Sequence, residues 1–348
     1  MAHTTPISLL LAAAMTPAAL AQPISASFDA PSGDRWNYPF NATPGYRSVA
    51  TIFGAPDVGP GFDDRDAQFI ISFDTGAQIP AGELSENYQV SSIRLTAYIA
   101  AGDQAAYDTS YDSYRSHLLE GDPDLQIDAD AGRPVELFGT GYRNGWDLAT
   151  WTEFTVFGGP PAVEPVQGAR NIFPAGFAPD GSASDQSNQV KERREVLPVA
   201  IGTVAGLTPG LFIPQDAAMV FDVTLTDPGF VTYVQQSLAA GRINMAISGM
   251  AFAIGGPDGG SGDPQYPAFY TNDDALANVL GLVPTLEITV EIGSPIDFNG
   301  DGILDNGDIG AFIGLFLAGD LTADVNGDGI LDNGDIGSFI ELFLAAAG

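Results

Sequence analysis

A tandem repeat at the C-terminal end constrains this chain more than any other stretch. Residues 297–319 read DFNGDGILDNGDIGAFIGLFLAG and residues 324–348 read DVNGDGILDNGDIGSFIELFLAAAG, so the copies begin 27 residues apart, at Asp297 and Asp324. Each opens with a twelve-residue spacing of oxygen ligands. Asp297, Asn299, Asp301, Asp305 and Asp308 hold loop positions one, three, five, nine and twelve of the first copy; Asp324, Asn326, Asp328, Asp332 and Asp335 hold them in the second. Calcium takes about six to eight oxygens at roughly 2.3–2.6 Å, and a loop of this grammar supplies them from alternate side chains plus the main-chain carbonyl at position seven. That carbonyl belongs to Ile303 and Ile330. Gly302 and Gly329 fall at position six, where the sharp turn needs a residue free to take positive φ. Two calcium ions are expected. Four Asp side chains in each loop repel one another until a cation arrives, so the segment should fold around its metal.

Past each loop the spacing changes to that of a helix, with Ile309, Phe312, Ile313 and Phe316 at i, i+3, i+4 and i+7, repeated as Ile336, Phe339, Ile340 and Phe343. No helix pattern precedes the first loop: residues 287–291 read as a strand, and Ser294 and Pro295 break the chain. A full helix-loop-helix EF-hand is therefore not expected. A loop followed by one helix, given twice, with Asp at position twelve, resembles the dockerin family of cohesin-binding modules. The resemblance covers residues 293–348. It implies a small all-α domain with two near-antiparallel helices related by a pseudo-two-fold axis, and a cohesin-like domain on another protein as partner. The Ser/Thr pair that the family often carries at positions ten and eleven is replaced here by Asn306-Gly307 and Asn333-Gly334. Equivalent positions in the two helices, such as Leu315 and Leu342, are expected on the docking face, either copy sufficing alone. The plainer reading is a calcium-stapled cap without a partner.

Composition narrows what the rest can do. Forty-four acidic residues against twelve basic give a net charge of −32, so nucleic acid and anionic membrane surfaces are poor partners. The chain has no cysteine, which excludes disulfides, zinc-thiolate sites and thiol nucleophiles. Residues 7–21 form an apolar stretch ending in Ala19-Leu20-Ala21, the small-x-small pattern of a signal-peptide cleavage site, although only His3 stands where a basic residue is usual. Export as a secreted bacterial protein is the expectation, with residues 1–21 removed. Elsewhere no apolar run is long enough to span a membrane.

Residues 22–292 carry short alternating apolar runs separated by Gly, Pro, Asp and Asn. Phe69, Ile71 and Phe73 alternate, as do Ile93, Leu95, Ala97 and Ile99; further runs cover 151–157, 196–201, 219–225, 243–247 and 286–290. Helices are expected at 229–240, ended by Gly241, and at 272–280, capped by Asn272 or Asp273. Residues 158–189, rich in Gly, Pro, Ser and Asp, read as a surface loop. Many short strands with few helices predict an all-β fold, a jelly-roll-like β-sandwich. The order FIISFDTGAQIPAG, VSSIRLTAYI, VFDVTLTDPGFVTYVQQSLAAGRINMAIS and PTLEITVEI resembles the DNRLRE-type domains, jelly rolls related to carbohydrate-binding modules. The resemblance covers 67–291 with an insert at 107–210, and implies sugar or surface binding with no catalytic residue to carry over.

Catalytic material is scarce. Past residue 21 the chain has one histidine, His117, and one lysine, Lys191, too little for a triad. Carboxylates alone suffice for glycoside hydrolysis if two face each other across a cleft at roughly 5–9.5 Å. Glu136, Asp147 and Glu153 are the candidates, each more simply read as a solvated strand residue. His117 with Tyr107, Tyr111 and Tyr114, and Trp36, Tyr38, Trp146 and Trp151, offer either sugar-stacking rings or ordinary packing. Two acidic clusters, Asp57, Asp63, Asp64 and Asp66, and Asp122, Asp124, Asp128 and Asp130, could hold further structural calcium; Arg65 and Arg133 compete for them as ion-pair partners. Two functions stand: a secreted non-catalytic β-sandwich protein attached to a scaffold by its calcium-dependent tail, or a secreted polysaccharide-degrading hydrolase or lyase with the same tail. A purely structural surface component is a third.

Overall fold

The computed structural model describes residues 23–54, 63–157, 169–252, 265–294, 296–300 and 303–346. The apolar stretch at 7–21, Asp57, Pro295, Asp301 and Gly302 lie outside them. The chain divides into two compact units, Pro23–Glu291 and a second that carries Ile292–Gly348.

The larger unit is mostly sheet. Its strands are β1 (Ile24–Phe28), β2 (Gly33–Asn37), β3 (Val49–Thr51), β4 (Gln68–Asp74), β5 (Tyr88–Tyr98), β6 (Val135–Tyr142), β7 (Ile172–Phe177), β8 (Ala183–Asp185), β9 (Ala200–Ile201), β10 (Thr203–Val204), β11 (Ala218–Asp222), β12 (Arg242–Gly249), β13 (Ala268–Tyr270) and β14 (Thr285–Ile292); helices α1 (Pro228–Ala239) and α2 (Ala275–Leu280) are inserted late. Five strands form one sheet in the order β1-β14-β5-β11-β10; a larger sheet runs β2-β4-β12-β6-β7-β8, with β9 also on β6; β13 and β3 pair separately. Phe28 of β1 meets Phe73 of β4 with ring centroids 6.3 Å apart, so the two sheets face each other as in a sandwich.

The two sheets are buried differently, and the sequence shows why. In β5, Ile93, Leu95 and Ala97 are buried while Ser92 and Arg94 are exposed, the alternation of a sheet with one wet face. β4 is buried over Gln68–Phe73 and β12 over residues 243–249, because both faces are covered. On the second face Ile70, Ala246 and Phe138, paired across β4, β12 and β6, pack under Trp151, Ile172 and Val196. Trp151 was expected in a strand at 151–157; it lies instead in an irregular segment whose indole is fully buried. The apolar run is real, but it caps a sheet face.

One further expectation needs correction. The segment 158–189 is not only surface loop, since it supplies β7 and β8 to the large sheet. Residues 107–210, read as an insert relative to the jelly-roll resemblance, contribute strands to the large sheet. β6 lies within them and sits beside β12, with Ala246 opposite Phe138. The glycines of β6 explain the miss: a Cβ on Gly139 would sit 2.7 Å from the Phe177 ring, and one on Gly141 would sit 2.4 Å from that of Phe173. Small residues there make room for aromatic rings and hide the strand's alternation.

Helix α1 follows its sequence signals. Asp227 accepts from the Gly229 N–H as N-cap, Pro228 takes the first turn, and Gly241 ends the helix at φ +74°. It packs against β5 of one sheet and against β7 and β12 of the other. Phe177 and Tyr233 stack at 4.4 Å, and the Tyr233 hydroxyl donates to the Asn244 carbonyl. α2 is capped by Asp274, one residue beyond the expected cap, which accepts from the Leu276 and Ala277 N–H groups.

The C-terminal unit contains α3 (Asn306–Ala318) and α4 (Asn333–Ala346), with a short turn at Leu321–Ala323 and then the second loop between them. Its core holds Ile296, Phe312, Ala323, Phe339 and Phe343. Phe312 and Phe339 occupy the same position of the two copies, and their rings stack at 4.3 Å with 4° between planes. Equivalent residues of the two copies thus meet in the core of the unit. Ile313 and Ile340, expected inside, are about half exposed, at 49% and 50%. The buried stripe is narrower than the sequence suggested.

Candidate functional site

The two C-terminal loops are wired alike. The Gly300 N–H donates to Asp297 Oδ1 at 2.9 Å and, in the second copy, the Gly327 N–H donates to Asp324 Oδ1 at 2.9 Å. Asp308 accepts from the Asn299 and Asp305 N–H groups at 3.2 and 2.9 Å; Asp335 accepts from those of Asn326 and Asp332 at 3.3 and 2.9 Å. Asp308 and Asp335 are buried, so the position-twelve carboxylate reaches back across each loop and ties positions three and nine together. The Asp332 N–H and its neighbours hold the Asp335 carboxyl below the usual carboxylate range.

In the second loop the inward turn of the side chains continues. Asp324 Oδ2 accepts from the Gly329 N–H at 2.7 Å, Asn326 Oδ1 from that of Asp328 at 2.9 Å, and Asp328 Oδ1 from that of Ile330 at 2.9 Å. Gly329 takes φ +80° as position six requires. Gly300 and Gly327, at position four, are also left-handed, at +71° each, a requirement the ligand spacing alone does not announce. Asp305 caps α3 through the Gly307 N–H, in a capping box completed by Asp308. Helix start and loop closure therefore use the same two carboxylates.

The same geometry accounts for the glycine at position eleven. A Cβ on Gly307 would lie 2.6 Å from Asn299 Nδ2 and 2.9 Å from Asp305 Oδ1; on Gly334 the distances are 2.8 Å to Asn326 Nδ2 and 2.9 Å to Asp332 Oδ1. Side chains of positions three and nine fill the space that a Ser or Thr there would need. The donor set is all oxygen and rich in carboxylates, the chemistry that a hard divalent cation favours. Asp297, Asn299, Asp305 and Asp308, with Asp324, Asn326, Asp328, Asp332 and Asp335, are the side chains that would hold it, with the carbonyls of Ile303 and Ile330.

No protein-family model matches the chain, and no curated protein matches it. The resemblances to known families rest on the motifs alone.

The candidates in the larger unit sort differently. Asp63 and Asp66 are buried and ion-paired with Arg170, Asp66 at 2.8 Å; Asp64 accepts from the Val190 and Lys191 N–H groups and faces Lys191 Nζ at 3.2 Å. Those three carboxylates already have cationic partners of their own, and burial pushes Asp64 and Asp66 up from the ordinary value. Arg65, expected as their partner, turns away to the buried Glu136 at 2.5 Å. Asp122 and Asp124 pair with Arg193 at 2.5 and 2.9 Å, apart from Asp128, which Arg133 holds. The structure instead brings Asp128 and Asp130 to Asp108 and Asp112, a grouping invisible in the sequence because two stretches of one long loop must fold together to make it. Burial pushes Asp112 up to about 6 against the opposing pull of Arg133.

The catalytic candidates have structural work. Glu136 is sealed against Arg65; Asp147 is exposed and accepts from the Ala149 and Thr150 N–H groups; Glu153 accepts from the Asp34 N–H at 2.7 Å. His117 is buried, and burial with Arg133 and Arg65 pushes it down to about 3, leaving it neutral. Tyr107 and Tyr114 are buried as well, and only Tyr111 is exposed, with its hydroxyl on Glu195. Trp151 and Tyr38 are core residues, Trp36 and Trp146 half-buried. A cleft of about 510 Å³ opens between Gln104, Ile127, Asp128, Asp130, Arg133, Phe212, Phe252 and Gln265. None of the carboxylates considered for catalysis lines it.

Among the described residues no helix is long and apolar enough to cross a membrane.

Proposed function

We propose that this is a secreted, non-catalytic β-sandwich protein attached to a scaffold by a calcium-dependent, dockerin-like C-terminal module. The observation that carries the reading is the matched wiring of the two loops around Asp308 and Asp335, with Phe312 on Phe339 between them. Two calcium ions hold the loops, and a cohesin-like domain is the partner. The face that would meet it is Ile313 with Leu317 on α3 and Ile340 with Leu344 on α4, all exposed and equivalent between the copies. Leu315, named from the sequence, packs partly against the core instead, while Leu342 is 40% exposed. The sandwich domain, resembling DNRLRE-type jelly rolls, binds a polysaccharide or surface ligand, with the cleft at Phe212 and Phe252 as its concavity.

The polysaccharide-degrading alternative has less behind it, because Glu136, Asp147 and Glu153 each serve a structural contact. The test uses the full chain on a panel of immobilised cohesin domains. Retention in calcium and release in EDTA is expected. Changing Ile313 and Leu317 to Asp should leave retention intact, whereas changing Ile340 and Leu344 as well should abolish it. Retention by no cohesin in calcium would leave the plainer reading of a calcium-stapled cap. On insoluble polysaccharides the chain should co-sediment without releasing reducing ends; release would favour the enzyme.

A further inference from the structure

The connection 99–134 between β5 and β6 is long and carries one 3-10 turn, Tyr114–His117, as its regular structure. Loops of such length in a compact unit generally have a function or a clamp. Four of its carboxylates converge. Asp108, Asp112, Asp128 and Asp130 each offer an oxygen, and all four atoms lie within 4.8 Å of one another. Arg133 Nη1 reaches Asp112 and Asp128, at 2.7 Å each, so one guanidinium serves two of the four acids.

Acidic residues gather on many surfaces without a ligand, but Asp108 is not at the surface. It is 3% exposed, and Ser110 donates to its Oδ1 through N–H at 2.7 Å and Oγ at 2.8 Å, while its Oδ2 is buried with no hydrogen-bond partner. Ser110 Oγ also reaches Asp130 Oδ2 at 3.0 Å, which draws the two ends of the loop to one point. A buried carboxylate oxygen without a donor is costly, and a cation removes that cost along with the mutual repulsion.

We propose that Asp108, Asp112, Asp128 and Asp130 form a calcium site that clips the connection 99–134 to itself. The choice of ion follows from the ligands, which are carboxylate oxygens held by an irregular loop. Calcium accepts about six to eight oxygens in flexible geometry, whereas magnesium demands near-octahedral order and keeps several waters. Four carboxylates on an irregular loop, with their oxygens within 4.8 Å of one another, suit the ion that tolerates irregular geometry. Closing a long flexible loop is where such a clip has most entropy to remove. Asp128, Asp130 and Arg133 also line the 510 Å³ cleft, so the ion sits in its wall.

This site does not rest on the C-terminal reading, and one experiment separates them. Calcium bound per full chain is counted by equilibrium dialysis for the wild type and for Asp108→Asn with Asp130→Asn. The double variant should bind one ion fewer, whether or not the C-terminal loops bind theirs; equal counts overturn the proposal. Asp130 is exposed, so Asp130→Ala alone guards against a folding defect, and it should weaken this one site at least tenfold. In the wild type, protease cleavage within 99–134 should be slower in calcium than in EDTA or magnesium. Equal rates in all three would also overturn it.

Discussion

At the scale of single residues, Asp34 makes stability depend on pH. It lies in β2, 1% accessible; its Oδ2 accepts from the Asn272 N–H at 2.7 Å, but its Oδ1 is buried with no partner. Burial, helped by Glu153 and Asp273, pushes its carboxyl up to about 8. The native state therefore holds a proton that the unfolded chain releases near 4. With the folded value raised, the stabilisation is fully present below about pH 4 and is lost as pH climbs through about 8. Asp34→Asn mimics the protonated form and cannot ionise. Its stability advantage over the wild type should be small at pH 4 and grow by about 1.4 kcal/mol per pH unit up to about pH 8. Urea unfolding of both proteins followed by tryptophan fluorescence across that range measures it; an offset independent of pH contradicts the burial argument.

At the scale of elements, helix α1 ties the two sheets together, and Gly229 lets it approach. A Cβ there would lie 2.3 Å from the Phe177 carbonyl oxygen and 2.6 Å from that of Ala178, both backbone atoms that cannot swing aside. Gly229→Ala should cost on the order of 1–3 kcal/mol despite alanine's better helix propensity, read as a lower urea midpoint. An unchanged or raised midpoint would mean the helix can shift freely. The sequence disclosed α1 and β4, β5, β11, β12 and β14, because their caps and alternation are local signals. It hid β6, where Gly139 and Gly141 interrupt the apolar pattern to admit rings from elsewhere. It also misassigned Trp151, because a buried indole looks the same whether a strand or an irregular segment delivers it. In the C-terminal unit the two matched loops and the left-handed Gly329 were legible from spacing, since a sharp turn is a local signal. Which helix residues face outward was not, because Phe312 and Phe339 take the core and leave Ile313 and Ile340 partly exposed. The acidic loops were legible only as acidic; which carboxylates meet an arginine and which meet each other depends on contacts between residues such as Asp63 and Arg170, far apart in sequence.

At the scale of the whole molecule, a chain with net charge −32 and no cysteine has neither disulfides nor charge balance to hold a small terminal unit. Among the described residues the C-terminal core is five buried side chains with eight half-buried neighbours, a small core to stand without a staple. The sandwich, by contrast, has a core spread through two facing sheets. The two units should thus answer differently to metal removal. The most direct measurement is amide hydrogen exchange on the full chain in calcium and in EDTA. Peptides from 303–346 should be protected in calcium and exchange within the dead time in chelator, while peptides from β4 and β12 stay protected in both. Equal protection of 303–346 with and without calcium would contradict the claim that the duplicated loops fold around the ion.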